Sequence, residues 1–303
     1  MQNQNKQAGR KIGKPRLLIV GCGDVGMRIL PLLCDRYRVF AVTTQTERMP
    51  VLRAAGATPI LANLDDPATS ARLARLAPTV LHLAPPQAEG RIDRRTRHLT
   101  AILPDRTTLV YVSTSGVYGD CSGALIDETR TVRPHNARAI RRVDAERTLR
   151  NWAQRSGSRL AIVRVPGIYA HDRLPEERLR KGTPALIDAD DVYTNHIHAD
   201  DLARIVIAAM RRLRPSRVYH AVDDSGMKMG AYFDAVADAL QLSRPPRLPR
   251  AELQHLVTPA MLSFMAESRR LTNRRIKSEL GVRLAYPTVA DGLQQIVKTM
   301  DVR

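Results

Sequence analysis

Cysteine and lysine are scarce in this sequence, and a long apolar run is missing. Cys22, Cys34 and Cys121 are its three cysteines. An odd, sparse set without metal-ligand spacing speaks against a disulfide framework or a metal centre and for a reducing compartment. No stretch approaches the ~18 uncharged apolar residues that a membrane span needs. Residues 1–16 are polar and basic without an apolar segment, so they do not read as a secretory signal. The expectation is a cytoplasmic protein with no membrane association and a disordered basic tail over residues 1–15.

Lysine is rarer than the charge suggests. The chain has 48 Lys+Arg against 30 Asp+Glu and a formal charge of +18. Seven of the cations are lysine, so 48 − 7 = 41 are arginine. They are spread along the whole chain rather than gathered in a stripe, which argues against nucleic acid and suits small anionic ligands better.

The 303 residues, 44% of them hydrophobic, suffice for one large α/β domain and a smaller lobe. Apolar, β-rich runs at 16–20, 38–42, 58–61, 79–84, 108–113, 159–163 and 218–222 alternate with helical patterns. The helical stretches fall at 25–33, 47–55, 70–76, 93–103 and 140–154. Such alternation predicts βαβ units and a parallel sheet covered on both faces. After Arg164 the pattern loosens into a Gly-, Pro- and charge-rich stretch, and from about Gly226 onward it is mainly helical. The predicted division is a sheet domain of 16–167 and 191–225, and a small substrate-binding lobe of 168–190 and 226–303.

The first run leads directly into Gly21-Cys22-Gly23-Asp24-Val25-Gly26, followed by a helix and a second strand. Strand, glycine turn and helix in that order form the dinucleotide-binding fingerprint of a Rossmann-type, doubly wound sheet. Gly21 permits the turn, Gly23 opens the backbone to a pyrophosphate, and Gly26 lets helix and strand approach. The helix N-terminus offers free N–H groups to the phosphates. Asp24 would repel that anion if turned inward, and the expectation is that it faces solvent.

The second strand ends in Thr43, Thr44, Gln45 and Thr46, with Arg48 close behind. An acid there would bind the ribose of NAD; hydroxyls and an arginine can hold the 2′-phosphate of NADP. NADP is therefore preferred, with NAD left open. Asp65 either approaches the adenine or caps a helix.

Several segments in order resemble the extended short-chain dehydrogenases, also called the NAD-dependent epimerase/dehydratase family. They are the glycine turn, Val80-Leu-His-Leu-Ala-Pro-Pro86, Val110-Tyr-Val-Ser-Thr-Ser-Gly-Val-Tyr-Gly119 and Arg164-Val-Pro-Gly-Ile-Tyr169. His196-Ile-His-Ala-Asp-Asp-Leu-Ala203 and Arg269-Arg-Leu-Thr-Asn273, with Leu280-Gly281 and Tyr286-Pro287, complete the set. The resemblance implies an α/β fold with a smaller, mainly helical C-terminal substrate lobe, a nicotinamide cofactor, a small-molecule substrate and, as a default, a homodimer. It places Leu83, Ala84 and Pro85 along the nicotinamide half and Pro166 on a loop lining cofactor and substrate. Thr114 falls on the family's catalytic Ser/Thr, with Ser113 and Ser115 as neighbours.

The family's Tyr-x-x-x-Lys pair is missing. Counting back from Glu146, its positions fall on Arg138 and Arg142, and no such pair occurs between Gly119 and Leu160. Arginine at 142 can still donate to ribose or phosphate oxygens, whereas a guanidinium at 138 carries no usable proton. Tyr118, Tyr169 and His135 are candidate substitutes, each also readable as a packed aromatic or a solvated histidine. The alternative is a catalytically silent NADP(H)-binding protein. His196 and His198 lack further ligands for a metal, and His198 reads as structural. Asp200 and Asp201 are expected to stabilise a helix N-terminus. The cationic loop 172–181 reads equally as a cover for an anionic substrate and as a solvated surface.

Overall fold

Seven segments line up side by side, six of them buried along most of their length and the seventh, Thr58–Leu61, only half-covered at an edge of the sheet. The structure, a computed structural model, describes residues 13–300. The strands are β1 (Arg16–Val20), β2 (Arg38–Thr43), β3 (Thr58–Leu61), β4 (Thr79–His82), β5 (Thr108–Thr114), β6 (Arg159–Val165) and β7 (Arg217–His220). All pair in parallel in the spatial order β7-β6-β5-β4-β1-β2-β3. The chain leaves β1 toward β2 on one side and later returns to β4 on the other. Beyond the strand ends at this reversal lies the crevice where doubly wound sheets take ligands.

One face of the sheet is covered by α1 (Asp24–Leu33) and α2 (Ala199–Arg211), which pack against each other. Ile29, Leu30 and Leu33 of α1 join Leu202, Ile205 and Val206 of α2 in one core cluster with Leu17 and Ile19. On the other face Leu99 joins Leu149 and Trp152 of the long helix at Ala137–Ser156 around Leu18, Leu109 and Tyr111. That helix begins four residues after Arg133 and two after His135, earlier than the periodicity predicts. Asn136 caps it, its side chain accepting from the Ala139 N–H at 2.9 Å, and Gly157 ends it in the left-handed conformation. Arg138 and Arg142 thereby stand one turn apart near its start.

The small lobe has its own core, in which Tyr169 and Leu179 pack with Tyr232, Phe233, Val236, Leu293 and Ile296. The lobe's predicted second segment is not uniform. Ile276 and Leu280, on the helix Arg274–Leu280, enter the core of the sheet domain, where that helix packs on α2 and β7. Apolar residues one turn apart on its inner face draw this part of the C-terminal chain back to the sheet. Among the described residues no helix is long and apolar enough to cross a membrane.

Candidate cofactor and substrate site

The glycine turn works through three different steric demands. Gly21 has φ +82°, and a Cβ there would lie 2.6 Å from both Cα and N of Ala84. The approach is close because the Leu83 and Ala84 amides both donate to the Val20 carbonyl, at 2.9 and 3.0 Å. A Cβ on Gly26 would sit 2.8 Å from Cys22 Sγ, while one on Gly23 would meet nothing within 4 Å. Gly21 and Gly26 are thus closed positions, and Gly23 faces open space at the mouth of α1.

That space is part of a cavity of about 290 Å³ at the reversal point, walled by Gly21, Gly23, Thr43, Thr44, Arg48, Ala84 and Pro85. Thr43 Oγ1 accepts from the Gln45 N–H at 3.1 Å. The Arg48 guanidinium has no hydrogen bond or ion pair among the described residues. No carboxylate lines this cavity. Asn63 and Arg95 do, and no motif or spacing singles them out. Asp65 is turned away into a two-point pair with Arg95, at 2.8 and 2.5 Å, and that hydrogen bonding holds its carboxyl below the usual range.

Three further predicted cofactor residues stand off the wall. Val25 and Leu83 pack against the main core. Asp24 does not simply face solvent: it pairs with Arg28 at 3.1 Å and with Arg173 at 3.0 Å. Arg28 also holds Asp172 at 2.7 Å and Asp200 at 2.8 Å, so the carboxylate beside the glycine turn is neutralised from two sides.

A second cavity, of about 310 Å³, lies past the end of β5, between the sheet and the small lobe. Thr114, Arg138, Arg142 and Pro166 line it, as predicted site residues, together with Ser115, Asn136, Tyr193, Phe264, Glu267 and Arg269. Thr114 Oγ1 accepts from the Gly116 N–H at 3.2 Å, which leaves its proton free for a ligand oxygen. Arg142 is anchored: Nη1 donates to the Val112 carbonyl at 2.8 Å and the Tyr111 hydroxyl at 3.0 Å. The Arg138 guanidinium lies 4.5 Å from the Phe264 ring centroid. Burial and the neighbouring charge of Arg142 pull its pKa below the usual arginine value.

Glu267 is the one carboxylate on this wall. It accepts from Asn136 Nδ2 at 3.2 Å and from Arg269 Nη1 at 2.8 Å, and so sits at the start of the helix that carries Arg138. Asn136 was legible as a helix cap before a periodic run; nothing local in the sequence marks Glu267.

The proposed substitute proton carriers do not reach the cavity. Tyr118 is 1% exposed, its hydroxyl donating to His220 Nε2 at 2.5 Å and accepting from Arg164 Nη1 at 2.7 Å. Burial pushes its pKa up to about 12. Tyr169 is fully buried and donates to the Thr288 carbonyl at 3.2 Å. His135 is exposed and lies against Gly119 rather than on the wall.

The other singled-out groups are structural. His198 Nδ1 accepts from the Asp200 N–H at 3.2 Å, capping α2. His196 stacks on Tyr232 with centroids 4.0 Å apart. Asp201 accepts from the Ala285 and Tyr286 amides at 3.0 and 2.8 Å, tying down the C-terminal segment. The segment expected as a cationic loop contains a short helix, Glu176–Arg180; there Arg180 and Lys181 pair with Glu176 and Glu177, and Arg178 lies over the Phe233 ring.

A parallel sheet that reverses order beside a glycine turn, with a second cavity under a small lobe, defines an extended short-chain dehydrogenase architecture. The sequence profile of the NAD dependent epimerase/dehydratase family matches residues 17–222, more than half of the chain, and the protein belongs to that family. Among solved structures it is similar to a conserved protein of unknown function from Silicibacter pomeroyi, at 28% identity and a TM-score of 0.78, over 95% of this chain and 100% of that one. It is also similar to the UDP-glucose 4-epimerase of Thermotoga maritima, at 18% identity and a TM-score of 0.75, over 95% and 99%. The dTDP-glucose 4,6-dehydratase DesIV of Streptomyces venezuelae, solved with NAD and TYD bound, gives 20% identity and a TM-score of 0.73, over 95% and 97%. No curated protein matches the chain.

Proposed function

We propose that this protein is an NAD(P)-dependent oxidoreductase or epimerase acting on a small carbonyl or alcohol, anionic or nucleotide-linked, with NADP preferred. One observation carries the reading: a glycine-turn cleft and a Thr114-lined cavity open at the same edge of the sheet. The cleft fits a dinucleotide because Gly23 faces open space where a side chain would stand. The carboxylate-free wall with the unpaired Arg48 supports a 2′-phosphate over a free ribose hydroxyl. Bound there, the nicotinamide would supply a hydride acceptor or donor. Thr114 would hold the substrate oxygen through its free proton, and Glu267 would take or give the accompanying proton. Arg142, fixed by the edge of β5, would orient ribose or substrate oxygens.

A second reading is favoured by the burial of Tyr118 and Tyr169 and the arginine at 138: a catalytically silent NADP(H)-binding sensor or regulatory protein. Fluorescence titration with NADPH and NADH, followed by a panel of carbonyl compounds and sugar nucleotides, separates the two. Turnover of any member supports the enzyme; saturable binding with no turnover supports the sensor. Absence of binding at millimolar nucleotide overturns both. The proposal includes a cytoplasmic setting, in keeping with three unpaired cysteines, and a homodimer, which the family resemblance suggests and sedimentation would test. No nucleic-acid or membrane partner is part of it.

A further inference from the structure

We propose that Arg138 and Arg142 form a receptor for an oxyanion, a carboxylate or phosphate carried by the substrate. The inference rests on the reading of the Thr114 cavity as a substrate site and narrows the substrate to a small organic anion.

The two guanidiniums reach the same cavity from one face of one helix, a turn apart. Arg142 is aimed by its two hydrogen bonds to the end of β5, both made by Nη1, so its other N–H groups have no partner among the described residues. Arg138 has no ion pair and no hydrogen-bond acceptor among them; its guanidinium lies over the face of Phe264. Two like charges are held together here with no carboxylate in direct ion pair with either; burial first, and then the charge of Arg142, pull the Arg138 pKa down, and Glu267 offsets this only in part.

The remaining charges on the wall do not relieve it. Glu267 is already held by Arg269 and Asn136. Three arginines against one carboxylate leave 3 − 1 = +2 on the lining. A planar, bidentate oxyanion matches the guanidinium fork, and in a recessed cavity such a pair is stronger than on an open surface. Phe264 is 49% exposed, which offers an apolar wall for the carbon skeleton next to the anion, while Thr114 waits for its oxygen. The two positions that resemble the family's proton-carrier pair are therefore converted to charge recognition, and the change at 138 is a change of ligand rather than a loss of function.

The test is calorimetric titration of the NADPH-loaded and the free protein with malonate and with inorganic phosphate, at constant ionic strength held with chloride. Saturable binding of either anion is expected, weakened at least about tenfold in Arg138→Gln and less in Arg138→Lys. Arg138→Gln should leave NADPH affinity unchanged, since Arg138 lines the second cavity and not the first. Preference for malonate or for phosphate identifies the source of the oxyanion. Failure of both anions to bind the wild-type protein below about 20 mM overturns the proposal. So does equal binding by Arg138→Gln with an unchanged thermal melt. Loss of NADPH binding instead sinks the dinucleotide reading, and the titration of the free protein still decides the anion receptor.

Discussion

Glu146 meets Arg164 in a two-point ion pair, Oε1 to Nε at 3.0 Å and Oε2 to Nη2 at 2.7 Å, with both side chains almost wholly buried. Ser113 Oγ donates to the same carboxylate at 2.8 Å, and Arg164 reaches on to the Tyr118 hydroxyl. The pair therefore ties the helix carrying Arg138 and Arg142 to β5 and β6 just beneath Thr114. Burial alone would raise the Glu146 pKa, but the hydrogen bonds and charge of Arg164 hold it below the usual value. Glu146→Ala would strand a buried guanidinium and is expected to lower stability by about 3–5 kcal/mol. Urea unfolding at neutral pH checks this, and a loss below about 1 kcal/mol would show that the pair is not the anchor described.

The glycine turn gives a contrast between two substitutions. Gly23→Val places its side chain in open space and should leave the melting temperature nearly unchanged while weakening dinucleotide binding at least about a hundredfold. Gly21→Ala forces a Cβ into the Ala84 backbone at φ +82° and should destabilise the fold by roughly 2–4 kcal/mol. Thermal melts and NADPH titrations of both proteins would disprove this division of roles if Gly23→Val bound nucleotide normally.

The sheet and the glycine turn were legible because each is written locally. The runs at 16–20 and 58–61 match β1 and β3 residue for residue, and strand, turn and helix follow one another within eighteen residues from Arg16 to Leu33. Thr114 and the 138 and 142 positions could be placed by resemblance. What failed was everything set by contacts distant in sequence. Tyr118 could be read either as a substitute proton carrier or as a packed aromatic, and the second holds because Arg164 and His220, forty-six and 102 residues away, use up its hydroxyl. Asp24, at the start of α1, looked solvated, but Arg173 from a distant loop pairs with it. Glu267 joins the site through a partner 131 residues distant, a separation that no periodicity or spacing encodes.

Thr114 and Glu267 should separate substrate chemistry from cofactor binding. Thr114→Ala removes the hydroxyl but no cofactor contact, so NADPH affinity should hold while turnover falls about ten- to a hundredfold. Glu267→Gln keeps the size and the Arg269 contact and removes the proton acceptor. Its turnover should fall comparably while NADPH affinity holds. Unchanged turnover in Glu267→Gln would exclude it as the proton carrier.

Acid sensitivity follows from three buried imidazoles. His82, His196 and His220 are each pulled from the usual 6.5 to about 3, with burial as the leading cause. His220 shows the structural reason: it accepts from Tyr118 at Nε2 and donates from Nδ1 to the Thr272 carbonyl at 3.0 Å, so no site remains for a second proton. An unfolded histidine binds its proton near pH 6.5, and the folded one refuses it until about pH 3. Each therefore contributes stability that is fully present above 6.5 and lost as pH falls toward 3. Asp223 acts in the opposite sense. Burial raises it from 3.8 to about 7, so its contribution is present below 3.8 and lost as pH rises through 7. Between pH 6.5 and 4 these three histidines work against the fold and Asp223 opposes them. Each of the three should lower stability by about 1 kcal/mol per pH unit across this window. Melting temperatures taken from pH 7.5 down to 4.5 test the sign. His220→Gln, which cannot titrate, should flatten the slope, and a melt indifferent to pH across this window would mean that these rings are not held neutral by the fold.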